Sequence, residues 1–152
     1  MIISFFGHAH FTGRVDLENK ILSFLEEVVG DEIAFAYLGS HGGFDDFAYD
    51  CCMKYKAAHS NLSLVYVTPY MTLEYQQNHL KHQLDRYDGI IYPQIEEKPI
   101  RLAILYRNRF MIEQSDYVVV YITHDFGGAY SAYRYAKKQG KIIYNLADFR
   151  EN

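Results

Sequence analysis

The sequence predicts an α/β fold: a mostly parallel five-stranded sheet in the order 3-2-1-4-5, with helices on both faces as a three-layer sandwich. Three observations carry this. Apolar runs of strand length alternate with helix-length amphipathic segments along the chain. The runs are near-continuously apolar rather than alternating, which is the pattern of strands covered on both faces. Glycine-rich turns stand between strand and helix at 7–13, 39–43 and 123–128. With right-handed crossovers, the chain reverses direction between strand 1 and strand 4, and ligands of such sheets bind outside the strand ends at that reversal.

Each element follows from its residues. Ile2–Phe6 is a short apolar strand ending in Gly7. Asp16 is placed to cap a helix with Leu17, Ile21, Leu22, Phe24, Leu25 and Val28 on its apolar face, and Gly30 stops it. Ile33–Leu38 is the second strand and Phe44–Ala58 the next helix, with Asp45 and Asp46 in the first turn, where the helix dipole favours negative charge. Leu62–Val67 is the third strand. Between Tyr70 and Lys98, Leu73–Leu84 can be helical, and 89–93 is either a short extra strand or an extended loop. Pro99 suits the first position of a helix running to about Gln114. Asp116–Ile122 is the strongest strand pattern. Ala129–Gln139 is a helix closed by Gly140, and Lys141–Leu146 is the last strand. With no repeat, linker or low-complexity tract, residues 1–152 are expected to form one domain.

Composition narrows the function classes. The formal charge of −4 argues against holding a phosphate backbone by bulk positive charge, so a nucleic-acid partner is disfavoured. No apolar run approaches the ~18 residues of a membrane helix, so no membrane partner is expected. The N-terminal residues lack the basic region of a signal peptide, and the adjacent Cys51 and Cys52 cannot form a disulfide framework. A cytoplasmic setting is expected. Cys51 and Cys52 read as buried helix packing. A homo-oligomer is left open.

The glycine turns and one arginine carry the chemistry. Gly39-Ser40-His41-Gly42-Gly43 is either a cradle whose backbone N–H groups approach an anion or a tight connection that binds nothing. It is neither G-x-G-x-x-G nor a Walker A loop. Gly127-Gly128, with Ser131 in the helical turn behind it, is a second such turn. Ile100, Ala103, Ile104, Arg107 and Met111 form one helical stripe, which puts Arg107 at a core position where its guanidinium needs carbonyls, a carboxylate or a ligand phosphate. Arg109 lies on another row and reads as a solvated or structural charge. His8 and His10 can face His124 and Asp125 across the crevice, but the spacing does not fix a metal site, and no metal or cofactor is expected. His79, His82 and Asp85 read as a solvated face. Tyr130 is near enough to the second turn to stack on a base.

Ile3-Ser4-Phe5-Phe6-Gly7-His8, Tyr37-Leu38-Gly39-Ser40-His41-Gly42-Gly43-Phe44-Asp45, Arg107 through Asp116, and Gly127-Gly128-Ala129-Tyr130-Ser131 together resemble the SLOG superfamily. This is the Rossmann-like group that joins the Smf/DprA proteins to the Lonely Guy phosphoribohydrolases. The resemblance spans nearly the whole chain and is strongest to small bacterial members. It implies a nucleotide or nucleotide-derived ligand held by Gly7, His8, His10, Gly39, Ser40, Gly42, Gly43, Asp45, Arg107, Gly127, Gly128, Tyr130 and Ser131. Lonely Guy enzymes cleave the N-glycosidic bond of nucleoside 5′-monophosphates. Arg107, Met111 and Ser115-Asp116 match their signature, as do Gly127-Gly128, with Ser131 at its Thr. Phe126 replaces its Pro, Tyr130 its third Gly, and Arg134 its catalytic Glu. The expectation is therefore a nucleotide-binding sensor or sequestering module. The alternative is an N-glycoside hydrolase or transferase in which Asp45, Glu113 or Asp125 supplies the carboxylate that an oxocarbenium-like transition state needs. DprA-like DNA binding is a third class.

Overall fold

The computed structural model describes residues 1–150, so the last two residues of the expected domain lie outside the described ones. Strands β1 (Ile2–Gly7), β2 (Ala34–Leu38), β3 (Leu62–Val67), β4 (Gly89–Ile91), β5 (Tyr117–Tyr121) and β6 (Ile142–Asn145) form one sheet in the order β4-β3-β2-β1-β5-β6. Every pairing is parallel. The sheet thus has six strands, not the five expected. The additional edge strand is β4, whose Gly89, Ile90 and Ile91 pair with Val65, Tyr66 and Val67. The five expected strands keep their predicted order, with β1 beside β5 at the reversal.

The helices are α1 (Val15–Val29), α2 (Gly43–Ala58), α3 (Leu73–Asn78), α4 (Ala103–Gln114) and α5 (Gly128–Lys138). Two segments are shorter or tighter than their pattern predicts. The helix expected over 73–84 breaks at His79, whose backbone leaves the helical region, and continues as a 3₁₀ turn over Leu80–Gln83. Only Leu80 is buried there, so tertiary packing does not sustain a longer helix. Likewise, Pro99 opens a 3₁₀ turn (Ile100–Leu102) before α4 begins. Asp16 does not cap α1: it is the second helical residue and pairs with Arg14, the residue at the cap position, at 3.1 Å. Gly30, at φ 53°, ends α1 as expected.

The alternation of strand side chains splits the core into two layers. Ile3, Phe5, Leu64, Tyr66 and Val119 pack with Leu17, Ile21 and Leu25 of α1 and Phe44, Ala48 and Cys52 of α2. Phe6, Val65, Val67, Val118 and Val120 pack with Met111 and Ile112 of α4 and Ala132 and Ala136 of α5. One buried polar contact fixes α4 against β1: Ser4 Oγ lies 2.6 Å from Ser115 Oγ, and Ser115 Oγ donates to the Met111 carbonyl at 2.6 Å. Every buried hydroxyl in this seam has a partner, as a close-packed interior requires. Among the described residues, no helix is long and apolar enough to cross a membrane.

Candidate functional site

All six strands run the same way, so the loops after β1, β2 and β5 leave from one end of the sheet. They enclose a cavity of about 520 Å³ lined by Gly7, His8, His10, Gly39, His41, Asp45, Arg107, Asn108, Met111, His124, Phe126, Gly127 and Gly128, among others. The cavity sits at the reversal between β1 and β5, where parallel α/β sheets bind ligands.

Arg107 is 2 % exposed. Its Nη1 donates to the carbonyls of Val67 (2.8 Å) and Gly39 (3.2 Å), and its Nε to Asn108 Oδ1 (2.8 Å). The guanidinium therefore ties together the C-terminal ends of β2 and β3 from α4. Its Nη2 makes no hydrogen bond, and no carboxylate among the described residues lies within 4.0 Å. Gly39 leaves little room here: a Cβ would stand 3.0 Å from Arg107 Nη2 and 3.1 Å from Asp45 Oδ2, so both side chains would have to give by a few tenths of an ångström. The expected stripe around Arg107 is only partly buried. Ala103 and Met111 are in the core, Ile104 lines the cavity, and Ile100, in the 3₁₀ turn, faces elsewhere.

Asp45, in the first turn of α2, is the other buried charge at the cavity. Its Oδ2 accepts the His41 backbone N–H at 2.8 Å. Burial raises its pKa to about 6, against the opposing pull of that hydrogen bond and of Arg107. His41 Nδ1 is 2.7 Å from the Gly39 carbonyl, which can only accept, so Nδ1 carries the proton. Burial and Arg107 lower the His41 pKa.

His8 is buried, and its Nε2 accepts the Thr123 backbone N–H at 3.0 Å. The proton of the neutral ring is therefore on Nδ1. Burial first, and His124 second, lower its pKa. The two imidazoles stack at 3.6 Å between centroids. Among the described residues, no group of three His, Cys, Asp or Glu side chains gathers into a metal-binding cluster.

The remaining expected residues fall elsewhere. Ser40, Gly42 and Gly43 do not line the cavity. Ser40 Oγ accepts from Gln83 Nε2 at 3.4 Å. Gly42, at φ 101°, and Gly43 press on the loop after β1, where a Cβ would meet Ala9 at 2.6 Å and the Phe11 carbonyl at 2.9 Å, respectively. The Gly43 N–H is already bonded to the Ala9 carbonyl. Tyr130, Ser131, Asp125 and Arg134 line a separate open cleft with Arg109, Lys137 and Lys138, which meets the cavity at His124. Arg134, which the sequence resemblance sets where Lonely Guy enzymes carry their catalytic Glu, donates through Nη1 to Tyr130 Oη at 3.1 Å. Arg109 lies over the Tyr135 and Tyr106 rings, 5.0 and 5.5 Å from their centroids. Glu113 is outside both and accepts from Tyr135 Oη. Sequence reasoning did not single out His41, Asn108 or Phe126 as lining residues; only the adjacency of His41 and Phe126 to glycine turns hinted at them.

Two solved structures share this architecture. One is DNA processing protein A from Helicobacter pylori, described by its single-stranded DNA binding mode: TM-score 0.62, 20% identity, 94% of this chain and 63% of that chain. The other is the protein designated TM1055: TM-score 0.55, 11% identity, 93% of this chain and 71% of that chain. At these identities the likeness shows the fold, and it is consistent with the SLOG resemblance of the sequence. This chain spans under two thirds of the Helicobacter structure. No protein-family model matches the sequence, and no curated protein matches it.

Proposed function

We propose that the cavity binds a nucleotide or a nucleotide-derived small molecule, and that the protein acts as a sensor or sequestering module for it. Arg107 carries this reading: a buried guanidinium on a cavity, with Nη2 unengaged and no carboxylate within 4.0 Å among the described residues, keeps its charge and one nitrogen for a phosphate oxygen. The start of α5 supports it. Its N-cap Gly127 supplies no side-chain hydrogen bond, so the Gly128 N–H and the positive end of the helix dipole suit an anion. Gly128 supports it too. A Cβ there would meet nothing within 4 Å and its φ is not positive, so the fold does not require glycine. A bare backbone facing the cavity suits close approach of a ligand.

The test is calorimetry of AMP, GMP, CMP and UMP with the wild type and Arg107→Ala, at a temperature where melting curves show both folded. The variant should bind about 1.5–3 kcal/mol more weakly, the worth of a charge-assisted hydrogen bond. Equal affinities would remove Arg107 from the site. A short single-stranded DNA oligonucleotide in the same experiment tests the competing use of the basic cleft, where binding would fall steeply with salt.

A second reading, hydrolysis of the N-glycosidic bond, is favoured by Asp45 alone. Its carboxyl lies on the cavity with a pKa of about 6, in the range that suits general acid–base work. Base release from a nucleoside monophosphate near ~10 s⁻¹, abolished by Asp45→Asn, would favour it over the binding module.

A further inference from the structure

Three rings stand face to face on the rim of the cavity. His8 and His124 stack at 3.6 Å with planes 13° apart, and His124 and Phe126 stack at 3.9 Å with planes 29° apart. The inner end of the column is closed: His8 is buried, and Tyr121 meets it edge-on at 6.5 Å. The outer end is open. Phe126 is 67 % exposed, lines the cavity, and has no ring contact besides His124 among the described residues.

We propose that the outer face of Phe126 is the seat of the ligand's base, so that a planar heteroaromatic ring becomes the fourth member of the column and selects nucleotides over plain sugar phosphates. This rests on the nucleotide reading of the cavity. Three features make the seat specific. The column is anchored before any ligand arrives, because the Thr123 N–H donates to His8 Nε2 and so ties the start of the loop to the ring at its inner end. A ring held in place loses little freedom on binding. The space beside Phe126 is clear: a Cβ on Gly127 or Gly128 would meet nothing within 4 Å. Arg107 lines the same cavity, so one molecule with a π-face at one end and a phosphate at the other matches both features. An aromatic face accepts a base of any sequence identity, whereas ribose and phosphate offer it no comparable contact.

The experiment uses calorimetry on the full chain with AMP, CMP and ribose 5-phosphate, for wild type, Phe126→Ala and Phe126→Tyr. The exposed position makes all three expected to fold. Phe126→Ala should bind AMP and CMP about 10- to 100-fold more weakly, the range of base–aromatic stacking. Its binding of ribose 5-phosphate should change less than about 2-fold, and Phe126→Tyr should restore nucleotide affinity. The chain contains no tryptophan, so Phe126→Trp places a single indole at the seat. AMP should quench its emission and ribose 5-phosphate should not. Equal nucleotide affinities in wild type and Phe126→Ala, or an indole insensitive to AMP at saturation, would overturn the stacking seat while leaving the phosphate site standing. Wild type that binds ribose 5-phosphate as tightly as AMP would do the same. Wild type that binds none of the three would bring down the nucleotide reading itself, and the seat with it.

Discussion

Replacing Asp45 with asparagine should stabilise this protein at neutral pH, although it removes an acid from the first turn of a helix. Asp45 is 8 % exposed, accepts one backbone N–H from His41, and among the described residues has no cation within ion-pair distance. Burial lifts its pKa from 3.8 to about 6. Between those values the folded protein keeps a proton that the unfolded chain releases. Stability therefore falls as pH rises through this window and is flat in this group above it. At 1.36 kcal/mol per pH unit, the ionised carboxylate costs roughly 3 kcal/mol at pH 7. The asparagine retains an oxygen for the His41 N–H but loses the favourable dipole term of about 0.5 kcal/mol. Asp45→Asn should then be roughly 2 kcal/mol more stable at pH 7 and close to wild type near pH 4. Urea denaturation of both proteins at intervals from pH 4 to 8 measures this, because the other carboxyls titrate alike in both and cancel. A variant less stable at pH 7, by an amount independent of pH, would refute the reasoning. It would mean that Arg107 compensates the carboxylate fully in solution.

Two further outcomes follow from the same geometry. Gly128→Ala should raise stability by roughly 0.5–1 kcal/mol, because it relieves a glycine in a helix at a position where a methyl group meets nothing, and should weaken AMP binding. A rise in stability with unchanged affinity would show that no ligand approaches that backbone. The His8 imidazole should titrate below 6.5 and carry its neutral proton on Nδ1, as read from nitrogen chemical shifts. Because the fold favours the neutral ring, stability from this group is lost as pH falls below 6.5. A midpoint above 6.5, or a proton on Nε2, would remove the Thr123–His8 bond that anchors the ring column.

Local sequence alone determines much of this molecule. A central parallel strand is apolar on both faces, so Leu62–Val67 and the core of Asp116–Ile122 announce themselves as short unbroken runs. The glycine turns mark where strand gives way to helix, and Gly30 stops α1 by its own backbone freedom. Parallel order and the reversal beside β1 follow from the alternation of elements and the handedness of crossovers. Tertiary structure decided the rest. Gly89–Ile91 is half-buried and three residues long, and it is a strand only because β3 offers an edge to pair with. No local period announces a partner 24 residues away. The glycines of the second turn look alike in sequence, yet Gly39 makes room for Arg107 while Gly42 and Gly43 make room for Ala9 and Phe11, which β1 delivers from a distant part of the chain. The helical period shows that Arg107 faces the core. That it grips the carbonyls of Gly39 and Val67 rather than Asp45 depends on where β2 and β3 end relative to α4. A side chain's direction is a property of its own helix, whereas its partner is set by contacts made across the whole fold.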